Sequence, residues 1–237
     1  RHTVTGPYTT EAGSRHPSGA TWSPSRTNFC VYSRQASGME LLLYADAEAI
    51  APLQVIRLDP RTNRSFFSWH IAVRDLPVGT HYNWRVTLPE QAGGEGIAPA
   101  ALPLEVLDPL CRAVSDRHWN RSAHIAAPAS ALGLRGIVTR APEPGPPQRT
   151  PRPLDNAIIY ELHVGGFTRH PSAGVSHPGT WAGLIEKIPY LRDLGITHVQ
   201  LLPVAAFDEQ DVPASVAEKE LRNYWGYSPH SLCSPHP

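Results

Sequence analysis

The stretch IIYELHV, residues 158–164, followed after a loop and a helical segment by ITHVQLLPV, residues 196–204, decides how the second part of the chain folds. In the first, Ile158, Tyr160, Leu162 and Val164 alternate with Ile159, Glu161 and His163, the two-residue period of a strand. The loop GGFTRHPSAGVSHPG leads into TWAGLIEKIPYLRDLG, where Leu184, Ile188 and Leu191 recur at i, i+4 and i+7. Thr180 suits the N-cap of that helix, Gly195 suits the position just past its end, and Pro189 predicts a kink. Strand, crossover helix and strand make a βαβ unit, whose strands must run parallel.

Such a unit needs cover on both faces and both edges, so more chain is expected to follow it. A doubly wound sheet and a (β/α)8 barrel both begin this way. The first loop has no GxGxxG leading into a helix, which weakens the dinucleotide alternative.

Upstream, the pattern changes to short strands. NFCVYS (28–33), MELLLY (39–44), LQVIRL (53–58), SFFSWHIAV (65–73) and THYNWRV (80–86) are rich in β-branched and aromatic residues and are separated by turn sequences. Phe67, Trp69, Ile71 and Val73 are expected on one face of the fourth. Tyr82, Trp84 and Val86 share a face of the fifth, opposite His81, Asn83 and Arg85. Close-spaced strands of this kind predict an antiparallel β-sandwich. LPEQAGGEGIAPAALP has no period and is expected to be a loop, and RAPEPGPPQRTPRP (140–153) is stiffened by six prolines. The predicted organisation is a tail (1–17), a β-sandwich (18–138), a Pro-rich linker (139–156) and an incomplete (β/α)8 barrel opening (157–237).

Charge and composition exclude several functions. The 21 basic and 21 acidic side chains cancel without any basic cluster, which argues against nucleic acid or an anionic membrane as partner. No apolar run is long enough to span a bilayer, and the first residues lack a signal-peptide core, so a cytoplasmic location is expected. Cys30, Cys111 and Cys233 are odd in number and lack metal spacing, which fits free thiols. His170, His177, His230 and His236 stand beside prolines without a helical pair, so no metal and no cofactor are expected.

With the residues laid out, a resemblance is visible. YELHV-GF-T, the G-T-x-x-G-L helix opening, I-x-Y-L-x-x-L-G-I-T, the LLPV strand and NYWGY (223–227) resemble, in order and spacing, the start of the catalytic barrel of family 13 glycoside hydrolases of the isoamylase and glycogen-debranching type. GATWSPSRTNFCVYSRQASGMELLLY, THYNWRV and VLDPLCRAV are similar to the N-terminal carbohydrate-binding module of family 48 in those enzymes. The resemblance implies glycogen or another branched α-glucan as partner and retaining hydrolysis of α-1,6 linkages. It also implies that the nucleophile and acid arise on later barrel strands, beyond the C-terminus, which leaves no catalytic residue in this chain and predicts that the chain alone is inactive. A non-catalytic glucan-binding fragment, a branching enzyme and a trehalose-releasing hydrolase share this opening and stay as alternatives.

The candidate substrate-binding residues are Tyr227, Trp225 and Asn223. By resemblance Tyr227 stacks on the sugar before the scissile bond, and a flat ring face suits the C–H face of glucose. For Trp225 the favoured explanation is packing of the loop against the barrel top, and for Asn223 the tying of a turn. Asp208, Glu209, Asp211, Glu218 and Glu220 are expected as a solvated rim, and Glu161 and His163 as members of a structural polar network.

Overall fold

The computed structural model describes residues 6–89, 103–126, 133–143, 145 and 154–237. Much of the predicted Pro-rich linker and of the LPEQAGGEGIAPAALP loop lies outside these residues. Two antiparallel sheets dominate the first part of the chain. One is ordered β1 (Thr10–Glu11), β7 (Ser68–Arg74), β3 (Arg26–Tyr32), β2 (Gly19–Ser23), with β6 (Arg64–Ser65) also paired to β7. The other is ordered β10 (Val114–Ser115), β11 (Arg135–Ile137), β8 (His81–Thr87), β4 (Gly38–Tyr44), β5 (Gln54–Arg57), with β9 (Leu104–Val106) on β8 and a short helix α1 (Arg121–Ala126) between β10 and β11 in sequence.

Register explains the core. Phe29 opposes Ile71 and Val31 opposes Trp69 in the first sheet, while Leu41 opposes Trp84 and Leu43 opposes Tyr82 in the second. All eight side chains are buried. The Phe29 ring meets Tyr82 edge-on at 4.9 Å and Trp84 at 6.5 Å, so the two inner faces interlock. Each such ring taken from water contributes about 1.5–3 kcal/mol. Beneath them Asp108 accepts from the Tyr82 hydroxyl at 2.9 Å and from the Leu110 N–H at 2.9 Å. Burial nevertheless pushes the Asp108 carboxyl above its ordinary value, because desolvation outweighs those donors.

The outer face of the first sheet is covered too. Asn28 exchanges hydrogen bonds with the Ser14 backbone at 2.8 and 3.0 Å, and the His70 ring donates from Nδ1 to the Ala12 carbonyl at 2.8 Å. Residues 10–16 are therefore part of the sandwich, and the segment expected as a tail supplies β1. A two-residue strand is too short to show a period in sequence. The predicted strand 65–73 is also divided: Ser65 pairs with Ser68, and Phe66 and Phe67 form the turn between β6 and β7. Phe67 is 40% exposed and does not join Trp69, Ile71 and Val73 in the core.

In the second part, β12 (Ile159–Leu162) and β13 (His198–Leu201) pair in parallel, with Tyr160 opposite Val199 and Leu162 opposite Leu201. The intervening helix is broken into α3 (Trp181–Glu186) and α4 (Ile188–Asp193), because Pro189 in the first turn of α4 has no N–H to continue the ladder. Thr180 caps α3 by accepting from the Gly183 N–H at 3.2 Å, and Gly195 takes a left-handed φ of 84° past the end of α4. Leu184 and Leu191 pack with Leu162, whereas Ile188 is 48% exposed. The break at Lys187 changes the phase, so the expected i, i+4, i+7 stripe loses its middle member.

The chain divides into two compact units, one reaching to Pro142 with His230–Pro237 added and the other spanning Glu143–Pro229. The last eight residues thus fall in the first unit, although the sequence pattern groups them with the barrel opening. Cys30 and Cys111 are buried free thiols and Cys233 an exposed one. No helix among the described residues is long and apolar enough to cross a membrane.

Candidate functional site

At the C-terminal end of β12 the chain turns at once into a short helix, α2 (Val164–Phe167), with His163 as its N-cap. The His163 Nδ1 accepts from the Gly166 N–H at 3.1 Å, and its Nε2 donates to the Tyr224 carbonyl at 2.8 Å. These two bonds together require the neutral ring with its proton on Nε2. The His163 and Tyr224 rings are stacked at 4.2 Å and 13°. Trp225 stands edge-on to both, 5.6 Å from Tyr224 and 6.0 Å from His163, and the Arg169 guanidinium lies 5.8 Å from the Tyr224 ring. A side chain at Gly166 would begin 2.6 Å from the Tyr224 hydroxyl, so the close approach of loop and ring requires glycine there.

The loop that carries Tyr224 is tied at its base. Asn223 donates its backbone N–H to the Glu209 carbonyl at 2.9 Å and its side-chain amide to the Asp208 carbonyl at 3.3 Å. Arg222 pairs with Glu209 at 3.1 Å. Gly226 sits at φ 80° against the Pro203 carbonyl, 3.1 Å from where a Cβ would be, and turns the chain so that Tyr227 emerges 69% exposed. Trp225 is also largely exposed at 56%.

Asn223, Tyr224 and Trp225 thus belong to one ring cluster and its anchor, with Tyr227 projecting beside it. Asp208 departs from the expected solvated rim: it is 5% exposed and accepts from the Gln210 N–H at 2.9 Å, closing a tight turn. Glu161 is hydrogen-bonded by Gln200 across the parallel pair at 2.9 Å. The sequence points to His163 as a polar-network member only. Its partner lies 61 residues away, a separation that no local pattern encodes. His170 caps a 3-10 turn by accepting from the Ser172 N–H, and the described residues contain no cluster of His, Cys, Asp and Glu able to hold a metal.

The fold and site define a β-sandwich module followed in sequence by a parallel βαβ segment with an aromatic cluster at its strand ends. A family model for carbohydrate-binding module 48, the isoamylase N-terminal domain, matches residues 17–109. Chloroplastic isoamylase 1 of Oryza sativa subsp. japonica is 31% identical across 99% of this chain and 29% of its own length. A glycogen debranching enzyme of Escherichia fergusonii is 33% identical across 95% of this chain and 34% of its own. Among solved structures, the glycogen-degrading pneumococcal virulence factor SpuA in a product complex matches with a TM-score of 0.70 and 20% identity, over 95% of this chain and 24% of that one. A pullulanase of Paenibacillus barengoltzii complexed with maltotriose matches at 0.66 and 23%, over 93% and 32%. At these identities the two structures speak for the fold. These likenesses support a debranching-type member of glycoside hydrolase family 13 with an N-terminal carbohydrate-binding module of family 48. The chain spans about a third of the length of the curated relatives named above.

Proposed function

We propose that the protein carrying this chain debranches an α-glucan by retaining hydrolysis of α-1,6 linkages, and that Asn223, Trp225 and Tyr227 form one wall of its sugar subsite. On this proposal β12 and β13 are the first two strands of a (β/α)8 barrel, in which active sites are built at the C-terminal strand ends. The observation that carries it is the ring cluster itself. His163 directly follows β12, the NYWGY loop follows β13 in sequence, and the two are locked by a stack and a hydrogen bond. The exposed Tyr227 ring offers a flat apolar face to the C–H face of a glucose unit, and its hydroxyl can bond a sugar hydroxyl.

Retaining hydrolysis needs a nucleophilic carboxylate and a proton-donating carboxylic acid about 5–5.5 Å apart. No acid of this chain is assigned to that pair: Asp208 closes a turn and Glu209 holds Arg222. This chain's part in the mechanism is to bind and orient the sugar, with the strand ends of the remaining barrel supplying the carboxylates. The same proposal places the protein in the cytoplasm with glycogen or a similar branched polymer.

Incubating the protein with glycogen and following reducing ends tests the reaction. Release of linear chains, with a rise in iodine absorbance as branches are removed, is the expected result. Formation of new branch points, or retention of glycogen without any release of reducing ends, would sink the hydrolytic assignment.

A further inference from the structure

A cavity of about 190 Å³ lies where α1 meets the strands β8 and β9. Glu105 and Asn83 line it from the strands, Trp119 and His124 from the side of α1, and Leu107 and Leu134 contribute apolar wall. The space is far larger than the roughly 10–15 Å³ that lodges a single water. At the start of α1, Asn120 accepts from the Ala123 N–H at 2.8 Å, and the Trp119 and His124 rings lie 5.1 Å apart, so one side of the cavity is built from neighbouring rings.

The polar groups around this space are short of donors. Glu105 Oε1 accepts from the Tyr44 hydroxyl and from the Asn83 amide, each at 2.8 Å, while its Oε2 has no hydrogen bond among the described residues. Asn83 is 2% exposed and commits its amide nitrogen to two acceptors, Glu105 and the Leu134 carbonyl at 2.9 Å. Those two bonds fix which way round the amide stands, and they leave its Oδ1 buried with no donor among the described residues. The His124 Nδ1 is buried without a partner in the same way. The nearest cations are committed elsewhere: Arg135 bonds the Asp46, Ala47 and Ala49 carbonyls, and Arg85 bonds Glu40. Buried acceptors without donors are unfavourable, and three of them around one carboxylate call for a guest that brings donors and a positive charge.

We propose that this cavity binds a small primary ammonium ion. Its three N–H groups reach Glu105 Oε2, Asn83 Oδ1 and His124 Nδ1, its charge lies beside the Trp119 ring, and its short alkyl chain packs on Leu107 and Leu134. Glu105 is half-buried and meets the cation first. Asn83 Oδ1 and His124 Nδ1 are closed to water, so the ammonium reaches them as the His124 ring turns aside on its short helix. A metal ion is a poorer fit, since the described residues hold no group of three His, Cys, Asp or Glu able to bind one. A sugar is a poorer fit too, because each hydroxyl brings an acceptor as well as a donor and no charge for the carboxylate. An ammonium has donors only, and an aromatic face attracts it. This site does not rest on the α-glucan assignment.

Isothermal titration of the 237-residue chain with n-butylammonium chloride tests it, at about pH 8 where the amine is charged, and against sodium chloride at equal ionic strength. Saturable binding is expected, with the neutral analogue 1-butanol about ten-fold weaker or more. Glu105→Gln keeps an acceptor for the Tyr44 hydroxyl but removes the charge, and should weaken butylammonium about ten-fold. Trp119→Leu should weaken it about three-fold, and decides the matter should Glu105→Gln fail to fold. Absence of saturable binding overturns the proposal, as does unchanged affinity in whichever of these variants folds. Equal binding of 1-butanol would make the cavity a plain apolar one and refute the cation. Maltose binding with the same dependence on Glu105 would also refute it, while release of reducing ends from glycogen judges the debranching assignment separately.

Discussion

The imidazole of His163 lies 4.2 Å from the Tyr224 ring and nearly parallel to it, while its Nε2 donates to the carbonyl of the same tyrosine at 2.8 Å. One side chain thus fixes both the ring and the backbone of the NYWGY loop. His163→Ala removes the stack and two hydrogen bonds at an exposed site, where water replaces part of the loss. Local stability should fall by about 1–3 kcal/mol. Amide hydrogen exchange should rise in residues 222–227 with little change in the sandwich strands. His163→Gln, which can still donate to the carbonyl but cannot stack, should lie between the two. Equal protection in all three proteins would show that the loop is held by Asn223 and Gly226 alone.

Tyr227 is argued as a sugar contact because it is exposed, so its removal should touch binding and spare the fold. Tyr227→Ala should lower kcat/KM on branched glucan about ten-fold or more, with Tm unchanged, and Tyr227→Phe should keep most of the activity because the ring face survives. Comparable losses in the two variants would move the weight from ring stacking to the hydroxyl.

Much of this architecture is legible along the chain, and the failures have specific causes. The Thr180 cap, the Pro189 break and the Gly195 stop follow from local rules, because each depends on neighbours within a few residues, and the parallel pair follows from the strand, helix, strand order. Ile188 was not legible as exposed, since a helical period assumes an unbroken phase. Asp208 reads as a surface acid until its turn is seen, and the strand 65–73 reads as continuous because Phe-Phe carries no turn signal. In the candidate site, Asn223 to Tyr227 stand out as a dense aromatic cluster. The contribution of His163 is invisible because it depends on Tyr224, 61 residues further along the chain.

In the sandwich, the Tyr82 hydroxyl and the Leu110 N–H both donate to the buried Asp108 carboxyl, the hydroxyl through a 2.9 Å bond to Oδ2. Tyr82→Phe keeps the ring against Phe29 and deletes the hydroxyl that makes that bond. It should cost about 1–3 kcal/mol in urea unfolding near neutral pH, because the carboxylate loses a donor it cannot replace with water. The carboxyl's raised value sets the sign with pH. Its favourable share is present below the ordinary value of 3.8 and is lost as pH rises through the folded-state value. Because the Tyr82 bond favours the charged carboxylate, the penalty in Tyr82→Phe should shrink in acid, where that carboxyl is protonated. A penalty independent of pH would place the effect in packing instead.

His81 gives the opposite slope. It lies on β8, and partial burial pushes its ring below the ordinary 6.5, outweighing the raising hydrogen bond to the Gly79 backbone, while the nearby Arg135 cation lowers it further against a smaller raising contribution from Asp46. The folded state therefore prefers the neutral ring, and the unfolded chain binds the proton first. Stability from this group is complete above the ordinary value and falls as pH drops below it toward the folded-state value, after which it levels. Urea unfolding of the parent chain and of His81→Gln at about pH 7.5 and about pH 5.5 isolates the term, because the other titrating groups are common to both proteins. The parent should lose more stability on acidification than the variant. An equal loss in the two would mean that the ring is protonated as readily in the folded state as in the unfolded chain, and that the Arg135 cation and the surrounding strands leave its proton affinity untouched.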